Sequence, residues 1–163
     1  MGGFLRVCII YDSKHETGAT SSIARCIATT IRNTGIEVTV CKPSQSCPDP
    51  HDFDLVIIGT PIYYERPMKS IIEFIEKNSG LHNCRVAVFL TCFIASKKVP
   101  KFIRNIILKK YLDSVMKHIK GNILSFRAFK GWLWKPDEDV IRECIEWCKE
   151  LSKLIKVNIY EGD

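Results

Sequence analysis

The chain predicts an α/β fold: a parallel sheet of five strands with helices packed on both faces. Three observations predict it. Five apolar runs of strand length recur along the 163 residues. Four other segments carry apolar residues at helical spacing. Three of the five strand runs are continuously apolar, the pattern of strands covered on both sides.

Residues 4–11 form the first strand, with Val7-Cys8-Ile9-Ile10 uninterrupted. Residues 18–33 form a helix with Ile23, Ala24, Ile27, Ala28 and Ile31 on one face, and Gly35 ends it. Residues 36–42 are the second strand, and Ile36-Glu37-Val38-Thr39-Val40 alternates. Residues 43–50 contain Pro43, Pro48 and Pro50 and read as a loop. The third strand covers residues 54–59. Residues 67–78 form a helix with Met68, Ile71, Ile72 and Ile75 inward, followed by Gly80. Residues 85–91 are the fourth strand. Residues 100–119 form a long helix with Pro100 in the tolerated first turn. Residues 122–129 are the fifth strand, largely alternating over Leu124-Ser125-Phe126-Arg127-Ala128. Residues 137–156 form the last helix, opened by Asp137, Glu138 and Asp139, whose charges suit the positive helix end. Continuous runs belong at the centre and alternating ones at the edges, so the expected strand order is 2-1-3-4-5. A single domain over residues 1–163 is expected, of ample size for one full core.

Composition bounds the function. No apolar run approaches the roughly 18 residues that span a bilayer. Met1-Gly2-Gly3-Phe4-Leu5-Arg6 lacks the basic-then-apolar pattern of a secretory leader, so a cytoplasmic protein is expected. The eight cysteines form no Cys-x-x-Cys pair and no Cys/His cluster at zinc spacing. Reduced, packed thiols and no metal are expected. The net charge of +6 suits an acidic partner. It is concentrated in Lys97, Lys98, Lys101, Arg104, Lys109, Lys110, Lys117 and Lys120, against Asp113 alone. The same segment carries Phe102, Ile103, Ile106, Ile107, Leu112, Val115, Met116 and Ile119. Segment 97–120 reads as a core helix with a solvated basic back, and alternatively as a docking face for an anionic surface. No nucleic acid is expected.

The most informative stretch is residues 9–20, where a buried strand runs into a Ser/Thr/Gly loop and then a helix. Hydroxyls, backbone N–H groups and a helix N-terminus converge there, an arrangement that suits a phosphate. In the order 2-1-3-4-5 the crevice opens between strands one and three at their carboxyl ends. Gly59-Thr60-Pro61-Ile62-Tyr63-Tyr64 and Thr91-Cys92-Phe93 follow the third and fourth strands and reach the same mouth.

Thr17-Gly18-Ala19-Thr20 with Ile23-Ala24 resembles the T-G-N-T-x-x-apolar-Ala phosphate loop of the flavodoxin-like FMN-binding family. Gly59-Thr60-Pro61-Ile62-Tyr63-Tyr64 resembles its second loop. The chain is most similar to the flavodoxin-domain branch that includes menaquinone-dependent protoporphyrinogen oxidases, through Phe53-Asp54-Leu55-Val56-Ile57-Ile58-Gly59, Ile72-Glu73-Phe74-Ile75-Glu76-Lys77 and the basic, aromatic segment after the fifth strand. The resemblance implies a flavodoxin-like three-layer sandwich holding FMN, with electrons passed to a redox partner protein or a small-molecule acceptor. It implies that Thr17, Gly18, Ala19 and Thr20 hold the phosphate, joined by Ser13 or by His15, which stands where the family places its first Ser. It implies that Thr60, Pro61, Ile62, Tyr63 and Tyr64 flank the ring, with one tyrosine stacked on it, and that Thr91, Cys92 and Phe93 face its pyrimidine edge. No catalytic acid or base is implied. Glu65 stands where the family often has Gly, and a carboxylate there opposes gain of negative charge on the flavin. Oxidation of a porphyrinogen linked to a quinone is the alternative, and a flavin-free regulatory or binding module on the same fold is a second. Trp132 and Trp134, after the fifth strand, read as packing residues or as flanks of the site.

Overall fold

The computed structural model describes residues 3–96 and 98–160; Lys97 of the basic segment lies outside them. In chain order the elements are β1 (Arg6–Tyr11), α1 (Ala19–Arg32), β2 (Glu37–Cys41), β3 (Leu55–Tyr63), β4 (Arg66–Pro67), α2 (Lys69–Lys77), β5 (Arg85–Cys92), α3 (Lys101–Met116), β6 (Asn122–Lys130) and α4 (Glu138–Tyr160). The sheet runs β2-β1-β3-β5-β6, all parallel, and β4 pairs antiparallel with β3. With β4 set aside, this is the order that the apolar patterns predict.

Alternation along the strands sorts the core into two layers. Val7, Ile9, Ile57 and Phe89 point toward α1 and α4, while Cys8, Ile10, Ile58 and Val88 point toward α2 and α3. The predicted face of α1, from Ile23 to Ile31, is buried. Phe89, Phe129 and Trp147 meet edge to face at centroid separations of 5.8–6.4 Å beneath it. Gly59 is set by this cluster, because a Cβ there would lie 2.1 Å from Cζ of Phe89.

Three expectations are corrected. The third strand does not stop at residue 59. It continues to Tyr63 because Gly59, Thr60 and Pro61 pair with Phe89, Leu90 and Thr91. Pro61 is tolerated because β1 ends opposite Gly59, which leaves β3 with one ladder partner beyond that point. Cys41 and Cys47 are not reduced thiols but a disulfide. The turn after β2, closed by Gln45 N–H on Lys42 O, brings their Cα atoms to 5.8 Å. The other six cysteines form no disulfide, and five of them are buried. Finally, Phe102 and Ile106 are not core residues. The core side of α3 is Tyr111, Leu112 and Val115, and Phe102 is 66% exposed.

Candidate functional site: a cleft at the carboxyl ends of the strands

The site is built on the loop that leaves β1. Asp12 anchors it: one carboxylate oxygen accepts from Ser13 N–H (2.8 Å) and the other from Ser70 Oγ of α2 (2.6 Å). The loop then folds around one acceptor. The His15 carbonyl receives Ser13 Oγ (2.9 Å), Ser21 Oγ (3.1 Å) and Gly18 N–H (3.2 Å). Gly18 is the N-cap of α1 with extended backbone, φ −74° and ψ 174°. No side chain caps this helix, and its first turn contains no acid. The N–H groups of Ala19, Thr20 and Ser21 therefore have no partner within the helix and carry its positive end.

Across the cleft, β5 ends on Thr91 and Cys92. Thr20 Oγ1 and Thr91 Oγ1 lie 2.7 Å apart, both side chains being almost wholly buried. One hydroxyl donates to the other, so one hydrogen of the pair is left for a further acceptor.

The third side is the β3–β4 hairpin, in which Ile62 pairs with Pro67 and Tyr63 with Arg66. Tyr64 and Glu65 form the two-residue turn, and both hold left-handed backbone, φ +49° and +63°. A tight hairpin needs that conformation at both positions, and Gly or Asn adopts it most readily. Lys14 Nζ stands 4.7 Å from the Tyr63 ring centroid and 6.0 Å from that of Tyr64, within cation–π reach. Near the hairpin, burial pushes the Tyr111 phenol up, and the charge of Glu65 adds to the effect.

A fourth wall comes from the segment after β6. Gly131 N–H donates to the Cys92 carbonyl (3.0 Å), which sets Trp132 and Leu133 against the cleft. Trp132 is buried, whereas Leu133 and Trp134 are exposed. Further on, Asp137 caps α4, accepting from Asp139 N–H and Val140 N–H. The Lys130 ammonium, 2.9 Å away, and these N–H groups hold the Asp137 carboxyl below the usual carboxylate range.

Together these walls enclose a narrow cavity of about 90 Å³. It gathers Ser13, His15, Gly18, Ala19, Thr20, Pro61, Ile62, Tyr63, Thr91, Cys92 and Phe93. Three predicted residues stand elsewhere. The Thr17 side chain is exposed outside the lining. Thr60 is fully buried, accepting from Met68 N–H and donating to Pro61 O, so it braces the hairpin against α2. Tyr64 stands on the outer side of the hairpin, 93% exposed. Asp12, Ser21 and Ser70, which shape the loop, carry no motif and become visible only through their contacts. The aromatic content of residues 130–136 hints at the fourth wall. Among the described residues no group of His, Cys, Asp or Glu side chains could hold a metal. No described helix is long and apolar enough to cross a membrane.

The donor set fits a phosphate ester joined to a larger polar body: an uncapped helix N-terminus, a spare buried hydroxyl hydrogen, and no carboxylate lining the cavity. A family model described as flavodoxin domain matches residues 8–142. No curated protein matches the sequence. Solved structures share the fold at low identity. An archaeal flavodoxin aligns with TM-score 0.64 and 14% identity over 93% of this chain and 99% of its own. Oxidised flavodoxin 1 from Bacillus cereus aligns at 0.63 and 18%, over 91% and 97%. Rubredoxin:oxygen oxidoreductase from Desulfovibrio gigas aligns at 0.62 and 16%, over 94% of this chain and 37% of the longer protein.

Proposed function

The chain belongs to the flavodoxin-domain family, whose cofactor is FMN, and from that premise we propose that it is a flavoprotein that passes single electrons or pairs between a donor and an acceptor. The observation that carries the reading is the cleft itself. It lies at the carboxyl ends of β1, β3 and β5, beside a helix N-terminus with no side-chain cap. Bound FMN supplies the redox chemistry, and the chain supplies binding, orientation and electrostatics.

The residues divide that work. The N–H groups of Ala19, Thr20 and Ser21 and the Thr20–Thr91 pair would hold the phosphate, with the His15-centred loop keeping them in place. A cavity of about 90 Å³ is well below the roughly 300–1,000 Å³ of a usual small-molecule site, so the larger part of the cofactor belongs over the open rim. There Tyr63 offers a ring face, worth about 0.5–1.5 kcal/mol beyond area burial in an aromatic pair. Lys14 and Glu65 place opposite charges beside the rim, and their balance sets how readily negative charge is accepted.

The docking face is the exposed side of α3, which packs beside β4. Phe102 and Ile106 stand open there among Lys101, Lys109 and Lys110. A partner with an acidic rim and an apolar centre matches this surface. The second reading, reduction of a quinone or oxidation of a porphyrinogen, is favoured by the exposed apolar side chains of Phe93 and Leu133 in the cleft lining. Absorbance of the purified protein after FMN addition and gel filtration tests the cofactor, and absence of retained flavin bands refutes the whole reading. Stopped-flow reduction against ionic strength then separates the acceptors. A steep fall with salt supports an acidic protein partner. A salt-independent rate with quinones or porphyrinogens supports the second reading.

A further inference from the structure

We infer that Trp132 is a cofactor-binding residue, its indole N–H donating to a phosphate oxygen of the bound ligand; this rests on the FMN reading above. Trp132 lines the cleft, yet only 8% of it is exposed. Its Nε1 is buried and has no hydrogen-bond partner. Buried indole donors are ordinarily satisfied. Trp147, the other buried tryptophan, shows the rule, since its Nε1 donates to Ser125 Oγ at 2.8 Å. The only other buried side-chain donor without an acceptor among the described residues is Arg104 Nε, on α3 and outside the cleft lining.

The position points to the phosphate rather than the ring. Trp132 belongs to the core layer under α1 and shares the cavity lining with Gly18, Ala19 and Thr20, the residues that open that helix. It is therefore on the side where the helix N–H groups emerge. The hydroxyls nearby are partly committed: Ser13 and Ser21 both donate to His15 O, and Thr20 and Thr91 share one hydrogen. An indole N–H adds a donor that needs no acceptor elsewhere in the protein. It reaches the site because Gly131 is tied to Cys92 O, which makes the β6–α4 segment part of the cleft.

The test is Trp132→Phe, which removes the N–H and keeps an aromatic body. Apoprotein would be titrated with FMN and, separately, with riboflavin, which lacks the phosphate. The expected result is an FMN Kd raised at least tenfold, a riboflavin Kd within twofold of wild type, and an apoprotein Tm that is unchanged or higher. The indole N–H resonance missing from the variant identifies Trp132 in the wild-type NMR spectrum, and it should move downfield on addition of FMN but not of riboflavin. An FMN Kd within twofold of wild type, or equal losses for both flavins, would overturn the assignment and leave Trp132 a packing residue. Failure of the wild-type protein to bind FMN is a separate result, which removes the underlying reading instead.

Discussion

At the floor of the cleft the His15 carbonyl gathers three donors, and Thr20 and Thr91 share a hydrogen bond out of contact with water. At the rim Phe93 and Leu133 of the cleft lining are exposed, and beside them the hairpin turn Tyr64-Glu65 holds left-handed backbone. The floor is polar, anchored to the sheet and left with donors in hand, the first N–H groups of α1 and one hydroxyl hydrogen of the Thr20–Thr91 pair. The rim is open, mixes apolar side chains with the charges of Lys14 and Glu65, and is strained at its hairpin turn. Affinity for a charged group belongs to the first kind of structure, because buried donors hold their geometry without reorganising. Tuning and partner exchange belong to the second, because exposed side chains there meet whatever approaches.

The largest effect is expected from a change beneath both regions. Gly59→Ala places a methyl group into the Phe89 ring beneath the third strand. Overpacking of this kind should lower stability by about 3 kcal/mol, read as a lower urea midpoint of the apoprotein. Floor and rim should fail together.

Thr20→Val tests the floor alone. It removes the hydroxyl pair and leaves Thr91 Oγ1, which is buried, without its partner. A hydrogen bond from the hydroxyl pair to the phosphate that is lost or misaimed costs about 1.5 kcal/mol, so FMN should bind roughly tenfold more weakly, since 1.4 kcal/mol is a factor of about ten. Flavin fluorescence titration reads this, and an unchanged Kd would place the phosphate elsewhere.

Glu65→Gly tests the rim. Gly accepts positive φ freely, so the hairpin should gain about 1 kcal/mol in thermal unfolding while the FMN Kd moves less than twofold. Loss of the carboxylate should raise the flavin reduction potential. A potential that stays fixed would remove Glu65 from the electrostatics of the ring.

The smallest effect lies outside both regions. His51 Nδ1 meets Asp49 at 2.8 Å and Nε2 meets His82 O at 2.8 Å, so both nitrogens donate only when the ring is protonated. The Asp49 hydrogen bond, followed by the His82 carbonyl, raises the His51 pKa above its usual 6.5, while Asp49 is held below its own range by His51. For His51, stability is fully present below the unfolded value and is lost as pH rises through the folded one. For Asp49 it is present above the carboxylate range and lost in acid. The contact is therefore strongest between the two ranges. Urea midpoints should fall from pH 6.5 to 8 in wild type and fall less in His51→Ala, with FMN affinity unaffected.

Much of this fold is readable along the chain. The uninterrupted apolar runs of residues 7–10, 55–58 and 86–90 place three strands at the centre, and all those residues are buried without exposure. Ile23 to Ile31 likewise mark the inner face of α1. The residues drawn into the cleft could be found because loops after parallel strands converge by topology. Other features had no local sign. The Cys41–Cys47 bond depends on how a proline-rich loop turns. Ser21, Asp12 and Ser70 act through partners distant in sequence. The open Phe102 and Ile106 carry the same apolar character as core residues, and periodicity cannot tell a covered apolar face from an uncovered one.

The alternation of strands and helices, the strand order and the family loops are written in the chain itself, because periodicity, burial pattern and turn chemistry are short-range properties. Tertiary structure alone decided that Gly59 serves Phe89, that Thr60 braces a hairpin and not the cleft, and that Trp132 brings an unanswered N–H to the cleft wall. Those outcomes depend on which residues far apart in the chain are brought within a few ångströms, and the packing of the whole sheet sets that distance.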